Sequence, residues 1–282
     1  MNEHRPQPKV RSISDRKVYW LLAGLSLVLL VFCAFFDLQI AQASYRPESR
    51  FGNFLRNFGE QPGHALILFS AGVYLWYGRN LLIRIVMLIP FCLEILILID
   101  KYRPPGSFVE GAFVALLVLL PVVVILLFRR FMTAAGIARN SALVVLAGVL
   151  HPLFLVQILK KLWGRIRFND LAEGALDFTP WYLPQGITGS QSFPSGHTAM
   201  GVMMCFLILY LPRHLRGPAF FPLFAWAIAV AASRVILGAH YVSDVSFSLL
   251  AGLGLLFFFN RLSAPAEETL QVQDQVDDRS PE

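Results

Sequence analysis

Three short stretches in the second half of the chain carry side chains suited to binding a phosphate and attacking it. The first runs from Lys160 to Arg167, the second from Phe193 to Thr198, and the third from Ser233 to Asp244. Taken alone, each has an ordinary explanation as a topology signal, a turn before a helix, or a surface hydrogen bond. Their order, spacing and combination favour a chemical role.

Five residues in these stretches predict an anion-binding site. The cations Lys160, Arg167 and Arg234 would repel one another if they met without an anion between them. Ser195 and Gly196 stand at the predicted start of a helix, where free amide groups and the helix dipole attract phosphate. Glycine also lets the backbone approach a ligand closely. We therefore expect all five to hold phosphoryl oxygens.

Two histidines and one aspartate supply the remaining parts of a phosphoryl-transfer site. His240 and Asp244 are four residues apart, so they would share one face of a helix. A carboxylate in that place can fix the imidazole tautomer and leave the other ring nitrogen free to attack. His197 is a second imidazole, suited to protonating a leaving oxygen. Anion cradle, oriented nucleophile and acid together indicate phosphoryl transfer.

The elements that must position these residues are predicted to be membrane-spanning helices. Hydrophobic residues make up 56% of the 282-residue chain and charged residues only 15%, whereas a soluble domain is about 25% charged. Open strands leave backbone groups unpaired in hydrocarbon, so a helical bundle is expected. The apolar runs predict an all-α polytopic bundle of about eight spans, and at least six, at 18–36, 64–79, 83–99, 108–128, 141–159, 197–211, 219–237 and 242–259. The pair 64–79 and 83–99 could instead form a re-entrant or interfacial element.

The order of the late spans brings the three stretches to one membrane face. The first stretch leaves span 141–159, and the second enters span 197–211 from the same face. The third follows span 219–237, after one more crossing of the bilayer. This convergence holds whatever the number of earlier helices.

Basic residues predict which face this is. With the N-terminus inside, the cytoplasmic loops carry Arg79, Arg84, Arg129, Arg130, Arg139, Arg213 and Arg216. Arg46, Arg50 and Arg56 on the other side weaken the contrast. The rule places the long loop 160–196, and with it the site, on the outer face.

The chain divides into four predicted regions. These are a cytoplasmic basic N-terminus at 1–17, N-terminal transmembrane helices at 18–130, a catalytic transmembrane core at 131–260, and a disordered acidic cytoplasmic tail at 261–282. Ala41-Gln42-Ala43 resembles a signal-peptidase site, but the apolar run before it has the length of a membrane span. A retained anchor is therefore expected.

Other features narrow the possible partners. The net charge is +6, yet no compact basic module with interleaved aromatic residues is present, so no nucleic-acid partner is expected. Cys33, Cys92 and Cys205 lie in apolar runs, and their spacing fits neither a zinc site nor a disulfide framework. Glu94 and His151 fall inside apolar runs, where a polar residue is costly and can mark a transport path; a structural role is favoured for both.

Together, the three stretches resemble the signature of the type 2 phosphatidic acid phosphatase superfamily. That superfamily includes lipid phosphate phosphatases, bacterial phosphatidylglycerophosphate and undecaprenyl-pyrophosphate phosphatases, lipid A phosphatases and vanadium haloperoxidases. Its pattern is Lys, six residues, Arg-Pro; then Pro-Ser-Gly-His; then Ser-Arg, five residues, His, three residues, Asp. The matching positions are Lys160, Arg167, Pro194–His197, Ser233, Arg234, His240 and Asp244. Phe168 stands where the pattern has proline.

The resemblance implies a mechanism that agrees with the residue chemistry. His240 would attack phosphorus to form a phosphohistidine, and Asp244 would orient it. His197 would protonate the departing alcohol and then activate water. Lys160, Arg167, Ser195, Gly196 and Arg234 would hold the phosphoryl oxygens. No metal or other cofactor is implied, because these cations stabilise the charge.

The substrate is expected to be a membrane lipid phosphate that enters from the bilayer. Phosphatidate, phosphatidylglycerophosphate, a polyprenyl diphosphate and a lipid A phosphate all remain open. Phe178, Trp181, Tyr182 and Phe193 either cover the cations and admit a headgroup, or belong to an ordinary interfacial loop. The short loops are typical of bacterial proteins, which would place the chain in the inner membrane with a periplasmic site. The alternatives are a lipid phosphotransferase and, from another class, a transporter or scramblase with a degenerate site.

Overall fold

The computed structural model describes residues 15–101, 106–172 and 177–263, and every regular element in these ranges is helical. The α-helices are α1 (Asp15–Ser44), α2 (Arg50–Phe58), α3 (Gln61–Tyr77), α4 (Leu81–Asp100), α5 (Phe108–Phe128), α6 (Ala134–Gly148), α7 (Val156–Trp163), α8 (Phe168–Ala172), α9 (Gly196–Met203), α10 (Arg213–Ile236) and α11 (Val242–Leu262). The predicted basic N-terminus and acidic tail lie almost wholly outside the described residues.

The all-α polytopic class predicted from the sequence is confirmed. Six helical segments of the described chain are long and apolar enough to cross a membrane: Gly24–Ser44, Leu81–Asp100, Phe108–Phe131, Ala134–Leu171, Arg213–Ile236 and Val242–Leu262. The other two predicted runs are helical but shorter, in α3 and in Gly196–Tyr210. Many large apolar side chains on α1, α4 and α5 are exposed, as a lipid-facing surface requires.

The shortest apolar segment is the centre of the bundle. α9 continues into a 3₁₀ turn at Met204–Tyr210, and every residue from Thr198 to Tyr210 is buried. α3, α10 and α11 pack around it. A short central helix enclosed by longer ones gives the second chemical stretch, at the start of α9, a rigid support.

The predicted span 141–159 is interrupted by a π-helical segment. Val149–Leu155 forms the π turns that join α6 to α7 around Pro152, whose missing amide and bulky ring prevent a regular α-helix. His151 lies in this segment, buried against α11, where a Cβ on Gly252 would come within 2.9 Å of His151 Cε1. The close contact supports the structural role predicted for His151.

The helix ends that bear the three stretches lie at one end of the bundle. The first stretch leaves α7, the second starts α9, and the third joins α10 to α11. The connection from α8 to α9 returns across this end, where the Ser192 amide donates to the Arg165 carbonyl at 2.9 Å. The Gln185 amide likewise donates to the Trp163 carbonyl at 2.8 Å.

Candidate active site

His240 is buried in the turn between α10 and α11, with one ring nitrogen engaged. Its Nδ1 lies 2.5 Å from the Ser192 carbonyl oxygen and 3.5 Å from Asp244 Oδ2. A carbonyl oxygen can only accept, so Nδ1 carries the proton and Nε2 holds a lone pair. Burial lowers the pKa of His240 to about 4, although Asp244 acts to raise it. The imidazole is therefore neutral near pH 7 and nucleophilic at Nε2.

The turn that carries His240 depends on glycine. Gly238 has φ of 66°, and a Cβ there would lie 2.7 Å from Tyr45 Cε2. Behind this turn the Ala239 and His240 amides both donate to the Arg234 carbonyl oxygen, at 3.0 and 3.2 Å. The turn thereby fixes the backbone of His240 against the end of α10, next to Arg234.

His240 and Asp244 do not share a helix, which differs from the expectation drawn from their spacing. α11 begins at Val242, and Tyr241 is its N-cap residue. Asp244 closes a capping box, because its Oδ2 accepts from the Tyr241 amide at 2.9 Å. The carboxylate therefore reaches His240 from the first turn of α11, and the Ser192 carbonyl is the closer partner of Nδ1.

Asp244 is held by a buried arginine, Arg165, that does not belong to the signature matched in the sequence. Arg165 Nη1 donates to Asp244 Oδ1, and its Nη2 donates to Asp37 Oδ2 at 2.8 Å. Its guanidinium also stacks 4.0 Å from the centre of the Tyr241 ring. Arg165 is completely buried, so its charge is balanced by these two carboxylates.

Asp37 brings the first helix into the candidate site. It lies near the end of α1 and accepts from the Ser243 amide at 3.1 Å as well as from Arg165. Ala41, one turn further along, is buried against Phe168 and Tyr241. α1 is thus built into the support of Asp244.

His197 lies at the start of α9, with both ring nitrogens facing acceptors. Nδ1 is 3.0 Å from Glu60 Oε1, and Nε2 is 3.2 Å from the Arg56 carbonyl oxygen. Lys101 donates to the other oxygen of Glu60. Burial acts to raise the pKa of Glu60, but His197 and Lys101 outweigh it and lower the pKa to about 2. A carboxylate ion therefore faces the imidazole.

The three predicted cations meet beside the start of α9. Lys160 Nζ lies 3.5 Å from the position of a Cβ on Gly196, and it is close enough to Arg167 and Arg234 for their charges to interact. Arg234 is buried, and its Nε and Nη1 have no hydrogen-bond partner within the described ranges. Buried donors of this kind are rare unless a ligand pairs with them.

Ser195 caps α9 and keeps a proton to donate. Its Oγ accepts from the Thr198 hydroxyl at 2.9 Å and from the Thr198 amide at 3.4 Å, which leaves its own hydroxyl hydrogen unused. The Ser195 amide donates to the Asp244 carbonyl at 3.2 Å, which ties the two helix starts together. The first amides of α9 have no acceptor within their own helix. All eight predicted site residues are therefore gathered at this end of the bundle.

The loop aromatic residues mostly pack as structural elements. The Trp181 indole donates to the Leu30 carbonyl at 3.1 Å, and Phe193 is fully buried between Trp163 and Phe247. The Phe178 ring contacts Tyr241 and lies 5.6 Å from the Arg165 guanidinium. These contacts favour the interfacial-loop interpretation for all but Tyr182, which is half exposed.

Phe168, the one departure from the signature, is a buried packing residue. Its ring contacts Tyr45 edge-on at 5.2 Å and lies near Tyr241. The next amide, that of Asn169, donates to the Gly238 carbonyl at 2.9 Å. The segment after Arg167 is thus anchored by a side chain and a backbone bond where the signature has a proline ring.

Glu94, a carboxyl inside a predicted apolar span, pairs with a histidine. Its Oε2 lies 2.6 Å from His64 Nδ1, between α4 and α3, and both side chains are buried. The pair agrees with the structural role predicted for Glu94. Within the three described ranges, no cluster of three or more His, Cys, Asp or Glu residues is arranged to hold a metal ion.

Comparison with known proteins gives matches in the second half of the chain. Residues 141–267 match the family described as the PAP2 superfamily. A lipid A 4'-phosphatase of Rhizobium leguminosarum is 37% identical over 121 residues, covering 41% of this chain and 52% of that protein. A lipid A 1-phosphatase of Rhizobium etli is 39% identical over 114 residues, covering 39% of this chain and 43% of that protein. The chain thus spans about half the length of these relatives, and no solved structure matches it.

Proposed function

Because residues 141–267 match the PAP2 superfamily, we propose that this chain is an integral-membrane lipid phosphatase that works through a phosphohistidine on His240. The family match confirms the resemblance inferred from the three stretches. The observation that carries the proposal is a neutral His240, free at Nε2, together with Arg234, whose buried Nε and Nη1 have no hydrogen-bond partner among the described residues. The charge of Arg234 also acts to lower the pKa of His240, so the nucleophile and the anion receptor lie near each other.

The proposed reaction has two steps. His240 Nε2 attacks phosphorus, the bond to the leaving oxygen breaks, and His197 gives that oxygen a proton. The neutral His197 then takes a proton from water, whose oxygen attacks phosphorus and releases inorganic phosphate and free His240. Lys160, Arg167 and Arg234, with Ser195 and Gly196, hold the phosphoryl oxygens in both steps. Arg165 keeps Asp244 ionised beside His240.

A lipid substrate is supported by a cavity that reaches Gly196, one of the proposed phosphate-binding residues. The cavity has a volume of about 260 Å³, starts at Gly196 and continues between α3, α4 and the π-helical segment. Pro90, Leu93 and Ile97 of α4 line one wall, and Ile67 and Leu153 lie on others. A lipid with its phosphate at Gly196 could place apolar chain there. The names of the two relatives favour a lipid A type of phosphate within this class.

Phosphate release from purified protein tests this proposal. The protein is given four substrates in separate assays, without any acceptor lipid. They are a phosphorylated saccharide lipid, phosphatidate, phosphatidylglycerophosphate and a polyprenyl diphosphate. We expect inorganic phosphate from at least one, with the saccharide lipid fastest. Transfer of the phosphoryl group to another lipid is measured in a separate assay with a labelled acceptor lipid. No phosphate release from any of the four, with transfer to an acceptor instead, would contradict the hydrolase and favour the phosphotransferase.

We also propose that the chain lies in a bacterial inner membrane, with the site on the periplasmic face. Arg79, Arg84, Arg129, Arg130, Arg139, Arg213 and Arg216 all lie at the end of the bundle opposite the site. Basic residues at one end favour that end as cytoplasmic.

Cysteine labelling tests this orientation. Ile187→Cys, on the exposed loop at the site end, should react with a membrane-impermeant maleimide in intact spheroplasts. Arg79→Cys, at the other end, should react only after the membrane is permeabilised. Both variants are made with Cys92→Ser, because Cys92 is the exposed native thiol and Cys33 and Cys205 are buried. The reverse labelling pattern would contradict a periplasmic site.

A further inference from the structure

Glu60, at the start of α3, makes a direct contact with the proposed general acid. We infer that Glu60 is the positioning residue of His197, and that its carboxylate holds the imidazole and balances its positive charge during proton transfer. This inference rests on the proposed function. Glu60 is not part of the three stretches and lies 137 positions before His197 in the chain.

The contacts of the imidazole require a charged partner. Nδ1 faces Glu60 Oε1 at 3.0 Å, and Nε2 faces the Arg56 carbonyl oxygen at 3.2 Å. Since both oxygens can only accept, both ring nitrogens must carry hydrogen for both contacts to be favourable. Burial lowers the pKa of His197 to about 3, whereas the Glu60 carboxylate acts to raise it, so Glu60 is the group that favours the imidazolium a general acid needs.

Glu60 is suited to hold that charge because it is itself fixed. Its side chain is buried at the junction of α2 and α3, and its second oxygen accepts from Lys101 at the end of α4. With a pKa of about 2, the carboxyl is ionised throughout the physiological range. Lys101 therefore restrains the carboxylate, while the oxygen nearer His197 remains available to the ring.

Close packing of two helices sets the distance between Glu60 and His197. Gly63 lies three residues after Glu60, and Met200 lies three residues after His197. A Cβ on Gly63 would come within 2.4 Å of the Met200 carbonyl oxygen, so α3 and α9 touch there without a side chain between them. The contact lies about one turn below the ion pair and fixes both helix starts.

A polar cavity adjoins the ion pair of Glu60 and His197. It has a volume of about 380 Å³ and is lined by Arg56, Asn57, Glu60, Gln61, Lys101 and His197. With Nδ1–H held by Glu60, the Nε2 proton, which faces the Arg56 carbonyl oxygen in this structure, is the one that would pass to the leaving oxygen. As the phosphorus–oxygen bond breaks, the alcohol gains that proton and His197 becomes neutral. The same nitrogen can then accept a proton from the attacking water.

Substrates with different leaving groups distinguish a role of Glu60 in proton transfer from a merely structural role. An alkyl phosphate needs a proton on its leaving oxygen, whereas p-nitrophenolate leaves readily without one. For Glu60→Gln we expect the first-turnover rate with a lipid alkyl phosphate to fall on the order of 100-fold, a loss in kcat with KM little changed. The first-turnover burst of p-nitrophenol from p-nitrophenyl phosphate should stay close to the wild-type rate. His197→Gln should show the same selective loss.

Control variants separate failure of this inference from failure of the proposed function. Glu110→Gln removes a carboxylate at the same end of the bundle that caps α5 and should leave both rates unchanged. Glu60→Asp, which keeps the charge, should lie between wild type and Glu60→Gln. Equal loss with both substrates in Glu60→Gln and Glu60→Asp, or no loss in either, would overturn the inference. A wild-type burst in His240→Asn would overturn the proposed function instead, whatever Glu60→Gln shows.

Discussion

Replacement of His240 by asparagine is expected to lower phosphate release on the order of 10⁴-fold or more, as removal of a covalent nucleophile does elsewhere. Asparagine retains a side-chain N–H that can donate to the Ser192 carbonyl, where Nδ1 now lies at 2.5 Å. It has no atom at the position of Nε2, so the nucleophile is lost while the local hydrogen bond is kept. Phosphate release from a lipid phosphate measures the change.

The same variant separates chemistry from folding. Its thermal unfolding in detergent should be close to that of wild type, because the buried acceptor at Ser192 keeps a partner. His240→Ala removes that partner as well and should be equally inactive but less stable. Wild-type phosphate release by either variant would rule out His240 as the nucleophile.

Replacement of Arg165 by methionine is expected to have the largest effect on stability. The guanidinium is completely buried between Asp37 and Asp244, so its removal leaves two carboxylates facing each other without a cation. Breaking a buried pair in this way costs about 3–5 kcal/mol of unfolding free energy. We expect a large fall in thermal stability in detergent, with loss of activity because Asp244 is displaced.

Arg167 is the matched control, since it is a second arginine of the same stretch. Arg167 is only half-buried, and it is proposed to bind the phosphate. Arg167→Met should therefore reduce phosphate release while thermal stability stays near wild type. Equal stability of Arg165→Met and Arg167→Met would contradict the structural role assigned to the Arg165 cluster.

The class of fold could be predicted from hydropathy, but only some of the helix bounds could. The run 108–128 coincides with α5, whose N-cap Ser107 accepts from the Glu110 amide at 3.2 Å. The run 141–159, in contrast, belongs to a helical segment that starts at Ala134, because Thr133 caps the helix before hydropathy rises. Capping groups, and not the end of the apolar run, decide where such helices begin.

It could be predicted that the site residues lie together, because successive membrane spans run in alternating directions. The signature residues occur next to helix ends, and each crossing of the bilayer determines on which face the next end lies. The supporting residues could not be found in this way. Asp37, Glu60 and Lys101 lie far apart in the first 101 residues, with no spacing that marks them. Only the packing of α1, α3 and α4 brings them to Asp244 and His197.

The role of Arg165 could not be predicted for a different reason, since this residue lies inside the first of the three stretches. Its neighbours Lys160 and Arg167 fit an anion site by their spacing, so a third cation there could be assigned to phosphate as well. The structure turns its guanidinium toward Asp37 and Asp244. Arg165 follows directly on the chain reversal at Gly164, whose φ is 59°.

Trapping of the covalent intermediate tests the central claim most directly. The enzyme is mixed with a ³²P-labelled lipid phosphate, quenched in alkali within the first turnover and digested for mass spectrometry. We predict a phosphoryl group that is stable to alkali and labile to acid, on the peptide that contains His240, and no such label in His240→Asn. A label on another residue, or rapid hydrolysis with no label at His240 in the first turnover, would contradict the account.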